Sequence, residues 1–187
     1  MVGRMWWKVK ASLMEPSKMF NTVSKERGLG EPVKYLAVVS LVSSFLASVL
    51  AFPGDVAMIS LVFAAFYAMT VAGSFFVALL THACSMLLGG KGTYEATYKA
   101  TAYAYTPSAL FGWIPVAGFL AHAYGLYVYA KGISRLHKVT MGKAVAIVVV
   151  PLVLVYIVFV VFLAVLLLAY APYLNAGGLQ PGFTGLV

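Results

Sequence analysis

Two histidines lie in stretches that are otherwise almost wholly apolar, His82 in the run 56–88 and His122 in the run 113–130. An ionisable side chain in such a setting acts as a proton relay or ligand, or else sits as a neutral imidazole bonded to a hydroxyl on a neighbouring helix. The second reading is favoured. At the helical rise, His82 stands about 10 Å from one end of its run and His122 about 13 Å from the corresponding end of its own, so similar depth is expected. Tyr103, Tyr105, Tyr124, Tyr127 and Tyr129 crowd the stretch between and around them. Their hydroxyls need partners, either in a wet cavity or across helix contacts. The candidate intramembrane polar site is therefore His82, His122, Tyr103, Tyr105 and Tyr124.

Other chemistry is thinner. Cys84 is the single cysteine, which excludes an internal disulfide and any cysteine-based zinc motif. It points to a different helix face from His82, so no metal site is expected from His82, Cys84 and His122. Glu95 and Lys99 stand one turn apart and form a natural pair. Paired carboxylates, GxSxG, HExxH and Walker patterns do not occur. No catalytic residue, no cofactor and no enzymatic activity are expected.

The elements that position these residues are set by composition. The chain is 63% hydrophobic and 10% charged, with a mean hydropathy of +0.95; a soluble domain carries about a quarter charged residues. Its 187 residues suit one domain. All 13 basic residues fall in three blocks, 4–34, 91–99 and 131–143. Short Lys/Arg-rich loops stay on the cytoplasmic side of a membrane, so the blocks give a topology. They also make anionic lipid headgroups the expected counter-charge rather than nucleic acid. No secretory signal is visible in the first 30 residues, and the first apolar span is expected to serve as the insertion signal.

A crossing helix needs roughly 20 apolar residues. Spans are expected at 35–52, 56–88, 94–112, 113–130 and 144–171. The stretch 100–130 reads as one long helix or as a hairpin. Pro107, Gly112, Pro115 and Gly118 favour a break, and the hairpin alone keeps the three basic blocks on one side. Stripes of small residues such as Ser40, Ser44 and Ser48 occur in four spans and allow close packing; the fifth lacks one and belongs at the periphery or a subunit contact. Residues 1–34 read as a cytoplasmic interfacial segment of short amphipathic helices, with Met5, Trp6, Val9 and Leu13 opposite Arg4, Lys8 and Ser12. Residues 172–187 form an external, loosely ordered tail. The fold class is all-α integral membrane, five transmembrane helices, amino terminus in and carboxyl terminus out.

The run LLGGKGTYEATYKATAYAYTP at 87–107, then Ile114-Pro115, Tyr124-Gly125-Leu126 and KGISRLHKVTMGKA at 131–144, resembles the Yip domain family of five-span membrane proteins, in its prokaryotic form. EPSKMFNTV at 15–23 resembles the segment before the first span in such members. The resemblance implies the same five-span topology, and it carries Gly89, Gly90, Tyr94, Tyr103, Tyr105, Pro107, Pro115 and Gly132 as family positions, which read as architecture before chemistry. The family is named for binding Ypt/Rab GTPases. The long acidic amino-terminal region of eukaryotic members is absent here, so a Rab-type partner is not expected.

The expected protein is thus a non-enzymatic multi-pass protein of a prokaryotic plasma membrane, acting as scaffold, bilayer-shaping element or partner-binding module. A small transporter or channel using the polar interior is the alternative. Lys131, Arg135 and Lys138, four and three apart, would share a helix face for anionic lipid or an acidic partner. Their other reading is a topology signal only. Partners are lipids, another membrane protein or a second copy of the chain.

Overall fold

The computed structural model describes residues 2–177, and among them all regular structure is helical. Eight helices follow one another: α1 Val2–Met14, α2 Pro16–Val23, α3 Gly30–Ala51, α4 Val56–Leu87, α5 Tyr94–Ala104, α6 Thr106–Phe111, α7 Ala117–His137 and α8 Met141–Gly177. Three stretches, Gly30–Ala51, Val56–Leu87 and Met141–Ala169, are long and apolar enough to cross a membrane. The described residues up to Pro151 form one compact unit and those from Leu152 onward a second. In the second, the side chains of 152–158 and 160–168 are apolar and largely exposed. The helix continues past 171, where the sequence ends the last span, and the remainder of the expected tail, 178–187, lies outside the described residues.

Local chemistry sets each turn. Asp55 caps α4 by accepting from the Met58 amide at 3.0 Å, and Thr93 caps α5 by accepting from Ala96; both satisfy amides that a helix start leaves open. The end of α4 closes on Gly89, whose φ of +83° suits a residue without Cβ. The Gly90 amide then reaches the Ser85 carbonyl at 2.8 Å and the Gly89 amide the Met86 carbonyl at 3.2 Å, the double closure of a Schellman end. At the far turn Val116 takes φ +66°, and the Ala117 amide bonds the Pro115 carbonyl at 2.7 Å. This is a γ-turn of the strained, positive-φ kind.

The stretch 94–130, expected to break into two antiparallel helices, is a hairpin. Thr97 meets His137, Thr101 meets Tyr129, and at the tip Gly112 meets Gly118. One number rises as the other falls, so α5–α6 and α7 are antiparallel. Pro107 divides α5 from α6 because it cannot donate to the carbonyl four residues back, that of Tyr103. Ser12 Oγ and Thr106 Oγ1 donate to that carbonyl instead, at 2.9 and 2.7 Å. A proline in a membrane helix is tolerated where hydroxyls re-satisfy the freed backbone in this way.

The amino-terminal helices pack on this hairpin through Met5, Val9, Met19, Phe20 and Val23, and two residues from the polar side of α1 turn inward with them. Lys8 and Ser12, from the polar side of α1, are buried, whereas Trp6 and Met14 are about 70% exposed, at 69% and 71%. Phe20 of α2 is fully buried against Gly132, where a Cβ would come within 2.7 Å of its ring. The Leu13 carbonyl, near the end of α1, accepts from Tyr124 Oη at 2.7 Å. Contacts at Tyr124 and at Gly132 are eight residues apart on α7, so α1 and α2 run about 12 Å along the bundle as a helical hairpin.

Candidate functional site

Buried polar groups collect around two hubs. Tyr103, wholly buried, is the first. Its hydroxyl accepts from Lys8 Nζ at 2.9 Å and donates to Glu26 Oε2 at 2.6 Å. Lys8 also pairs with Glu26 at 2.7 Å and reaches Glu31 at 3.6 Å, and it stands 5.0 Å from the Tyr103 ring centroid. Tyr35 meets that ring edge-on and hydrogen-bonds Thr106 at 2.7 Å. Nearby, Lys99 joins Glu95 at 2.6 Å, the pair its spacing predicts, and also donates to the Glu26 carbonyl. Buried charges are tolerable when paired and hydrogen-bonded like this, and removing one partner leaves the other uncompensated. The hub therefore ties α1, the loop after α2, α3 and α5 into one piece.

The second hub is centred on His137, which sequence reasoning passed over. It is fully buried at the end of α7, beyond the apolar part of that helix. Ser85 Oγ lies 2.7 Å from Nδ1 and Thr97 Oγ1 2.8 Å from Nε2. Thr97 Oγ1 lies in turn 3.0 Å from His82 Nδ1, and the two imidazoles are 6.0 Å apart. Burial, then the neighbouring His82, pulls the His137 pKa down to about 4. The glycine turn wraps the ring: a Cβ on Gly92 would approach it to 2.8 Å, and the Lys91 amide bonds the His137 carbonyl at 3.0 Å. Glycines spaced two apart signal a close approach, and the group approached was the missing histidine. Tyr94 completes this region, standing edge-on to His82 and donating to the Phe75 carbonyl at 3.1 Å.

These glycines, tyrosines and prolines lie within residues 10–163, the stretch matched by the model of the Yip1 domain family. The chain belongs to the Yip1 domain family. Comparison with curated proteins and with solved structures finds no match. Membership and the three long apolar helices make this a membrane protein.

Within this Yip1 domain the predicted polar site divides. His122 is nowhere near His82: it precedes His137 on α7 by about 22 Å of helical rise, while His82 lies beside His137. The similar depth expected from sequence does not hold, because His82 belongs to the basic end of the bundle and His122 to the opposite end. His122 Nδ1 donates to the Gly118 carbonyl at 2.7 Å. Its ring borders a cavity of about 170 Å³ that Ser44, Thr70, Tyr105, Ser108 and Trp113 also line. Tyr105 thus faces this cavity, Tyr103 the ionic hub, and Tyr124 the end of α1. Among the described residues no group of His, Cys, Asp and Glu is arranged to hold a metal. On the remaining face, α7 carries Lys131 against the Tyr127 ring at 5.5 Å, with Arg135 and Lys138 exposed; Lys138 ends the helix in the left-handed conformation, at φ +56°.

Proposed function

We propose that this Yip1 domain protein is a non-enzymatic, five-span scaffold of the cell membrane, amino terminus inside, that binds anionic lipid and shapes the bilayer on its inner side. The observation carrying this reading is the fixed attachment of the amino-terminal hairpin. With Lys8 and Ser12 turned into the bundle, Trp6, Trp7 and Met14 are held outward, and Arg4, Lys10 and Lys18 are exposed around them. An apolar and aromatic wedge rimmed by cations is the surface that inserts at headgroup depth. Lys131, Arg135 and Lys138 extend the cationic surface, each adding about 1 kcal/mol of attraction to anionic lipid. A second copy of the chain or another membrane protein is the further partner class.

The test is reconstitution into phosphatidylglycerol-containing and pure phosphatidylcholine vesicles. The scaffold reading expects narrower vesicles in the anionic lipid, an effect lost on replacing Trp6, Trp7 and Met14 by Ala and weakened by Gln at 131, 135 and 138. Unchanged vesicle dimensions with all variants would overturn it. A transporter is the second reading, favoured by the hydroxyl-bearing groove at His122; solute or ion flux through the unmodified protein, abolished by His122→Asn, would establish it instead.

A further inference from the structure

Between α7 and the start of α8 the packing leaves an open groove of about 180 Å³. The short connection 138–140 turns the chain back there, so that α8 sets off along α7. Ala130 and Val148 are buried at the floor, while Leu126, Tyr127, Val145 and Val149 are exposed along the walls. All of these lie in the first compact unit. Met141 lines the end nearest the basic block, and Val149, eight residues on, stands about 12 Å deeper. That length is most of one leaflet, since the whole hydrocarbon layer is about 30 Å thick.

The groove is apolar along its length and cationic at one end. Apart from the Tyr127 hydroxyl, its lining carries no hydroxyl, amide or charge. Lys131, one turn from Tyr127 towards the basic block, holds its Nζ 5.5 Å from the centroid of that ring. Arg135 and Lys138 follow beyond it, both exposed. The sequence has no Asp or Glu after Glu95, and among the described residues no carboxylate pairs with any of these three cations. Their counter-charge is left to a ligand or to solvent. A partner helix fits poorly, because helices in lipid associate through small residues and the exposed walls here are Leu, Tyr and Val. A flexible apolar chain ending in an anion matches both features. Its methylenes can follow irregular walls, and the Lys131 ammonium, reaching to the interface on its own apolar stem, can meet a phosphate there.

We propose that the α7–α8 groove seats one acyl chain of an anionic phospholipid, whose phosphate is held by Lys131 at the inner surface. The seat rests on the scaffold reading for its side of the membrane, and it narrows a general attraction to anionic lipid to one place. Of the three cations, Lys131 is the one set against a groove wall.

A tryptophan in the groove wall reports the lipid beside it. In the full-length Trp6→Phe/Trp7→Phe/Trp113→Phe protein, Val149→Trp puts the reporter in the groove. Leu79→Trp puts it on the exposed face of α4, also eight residues from the helix end at the basic side. Each protein is reconstituted in mixtures of phosphatidylcholine and phosphatidylglycerol, one of the two carrying a dibrominated chain that quenches indole emission. At Val149→Trp, phosphatidylglycerol should be preferred about fivefold, the equivalent of one lysine contact at about 1 kcal/mol. At Leu79→Trp the preference should be close to none. Lys131→Gln should bring the groove value down to that of α4, whereas Arg135→Gln should leave it in place. Ala130→Leu fills the floor and should lower quenching by either lipid; should it not fold, Val145→Phe narrows the groove from its exposed wall. Equal preferences at the two reporters, a preference that Lys131→Gln leaves unchanged, or quenching that a folded groove-filling variant leaves unchanged would mean ordinary annular lipid. The seat would then fall, while the scaffold reading would still be decided by vesicle narrowing and the Trp6, Trp7 and Met14 variants. Quenching at Val149→Trp that is absent with both lipids and returns on dilution into more lipid would mean that a second copy covers the groove, which would equally overturn the proposal.

Discussion

Ser12 donates to the Tyr103 carbonyl at 2.9 Å, the acceptor that Pro107 leaves without its helical partner. The amino-terminal helix thereby repairs a break made by a proline 95 residues further along the chain. Ser12→Ala is expected to cost about 1 kcal/mol, typical of a hydrogen bond within a membrane bundle. In a Pro107→Ala background, where residue 107 regains its amide, the same change should cost less. Denaturant titration of the four proteins in detergent forms a double-mutant cycle. Strict additivity would show that Ser12 and Pro107 are unrelated.

That relationship explains which parts of the fold were legible. The α5–α7 hairpin could be read because its causes are local: Pro107, Gly112 and Pro115 break helices wherever they occur. The orientation of α1 could not. Helical periodicity says that Lys8 and Ser12 share a face, not that Tyr103, Glu26 and Glu31 wait opposite it. The pattern of α1 alone predicts its polar side in water, whereas Lys8 and Ser12 find buried partners and Arg4 stays exposed. His137 is hidden for a similar reason, since it sits between Arg135 and Lys138, outside the apolar stretches where an ionisable side chain stands out. The count of membrane crossings rests on charge placement, with three helices meeting the length and hydropathy of a span.

Acid should loosen the second hub. The His137 pKa lies at about 4 in the folded protein against 6.5 ordinarily, so the unfolded chain binds the proton more readily between those values. Stability is then full above about pH 6.5 and falls as pH drops towards 4, by at most about 1.4 kcal/mol per pH unit for one proton. Melting temperatures of the detergent-solubilised protein between pH 7.5 and 4.5 should show the decline, and His137→Gln should flatten it. A decline of equal slope in that variant would place the responsible group elsewhere.

Gly132 and Phe20 form the joint between α7 and the amino-terminal hairpin. A Cβ at 132 would meet Phe20 Cζ at 2.7 Å and the Ala100 methyl at 2.9 Å. Gly132→Ala should destabilise by about 1–3 kcal/mol, the usual cost of overpacking, and should expose residues 2–23 to protease. Phe20→Leu, shorter at the ring tip, should cost less in the Gly132→Ala background than in the native chain. Protease resistance equal to the native protein's in Gly132→Ala would mean that this joint does not hold the hairpin down.

Topology offers the most direct check on the five-span proposal. In a Cys84→Ala background, single cysteines replace Val56, Lys91, Val116 and Lys138, all exposed in the structure. Position 137, at the centre of the basic block, is unsuitable because His137 is wholly buried. An impermeant maleimide added to intact cells should label 56 and 116, and should reach 91 and 138 only after permeabilisation. The antiparallel pairing of α5–α6 with α7 puts Lys91 and Lys138 at one end of the bundle and Val116 at the other. The lysine positions must therefore behave alike, and unlike 116, if the central hairpin crosses the bilayer. Labelling of 116 from the same side as 91 would mean that the hairpin does not cross and that the chain has three spans. The basic blocks would then owe their shared side to the long helices alone, and the cavity at His122 would have to be reached from that same side.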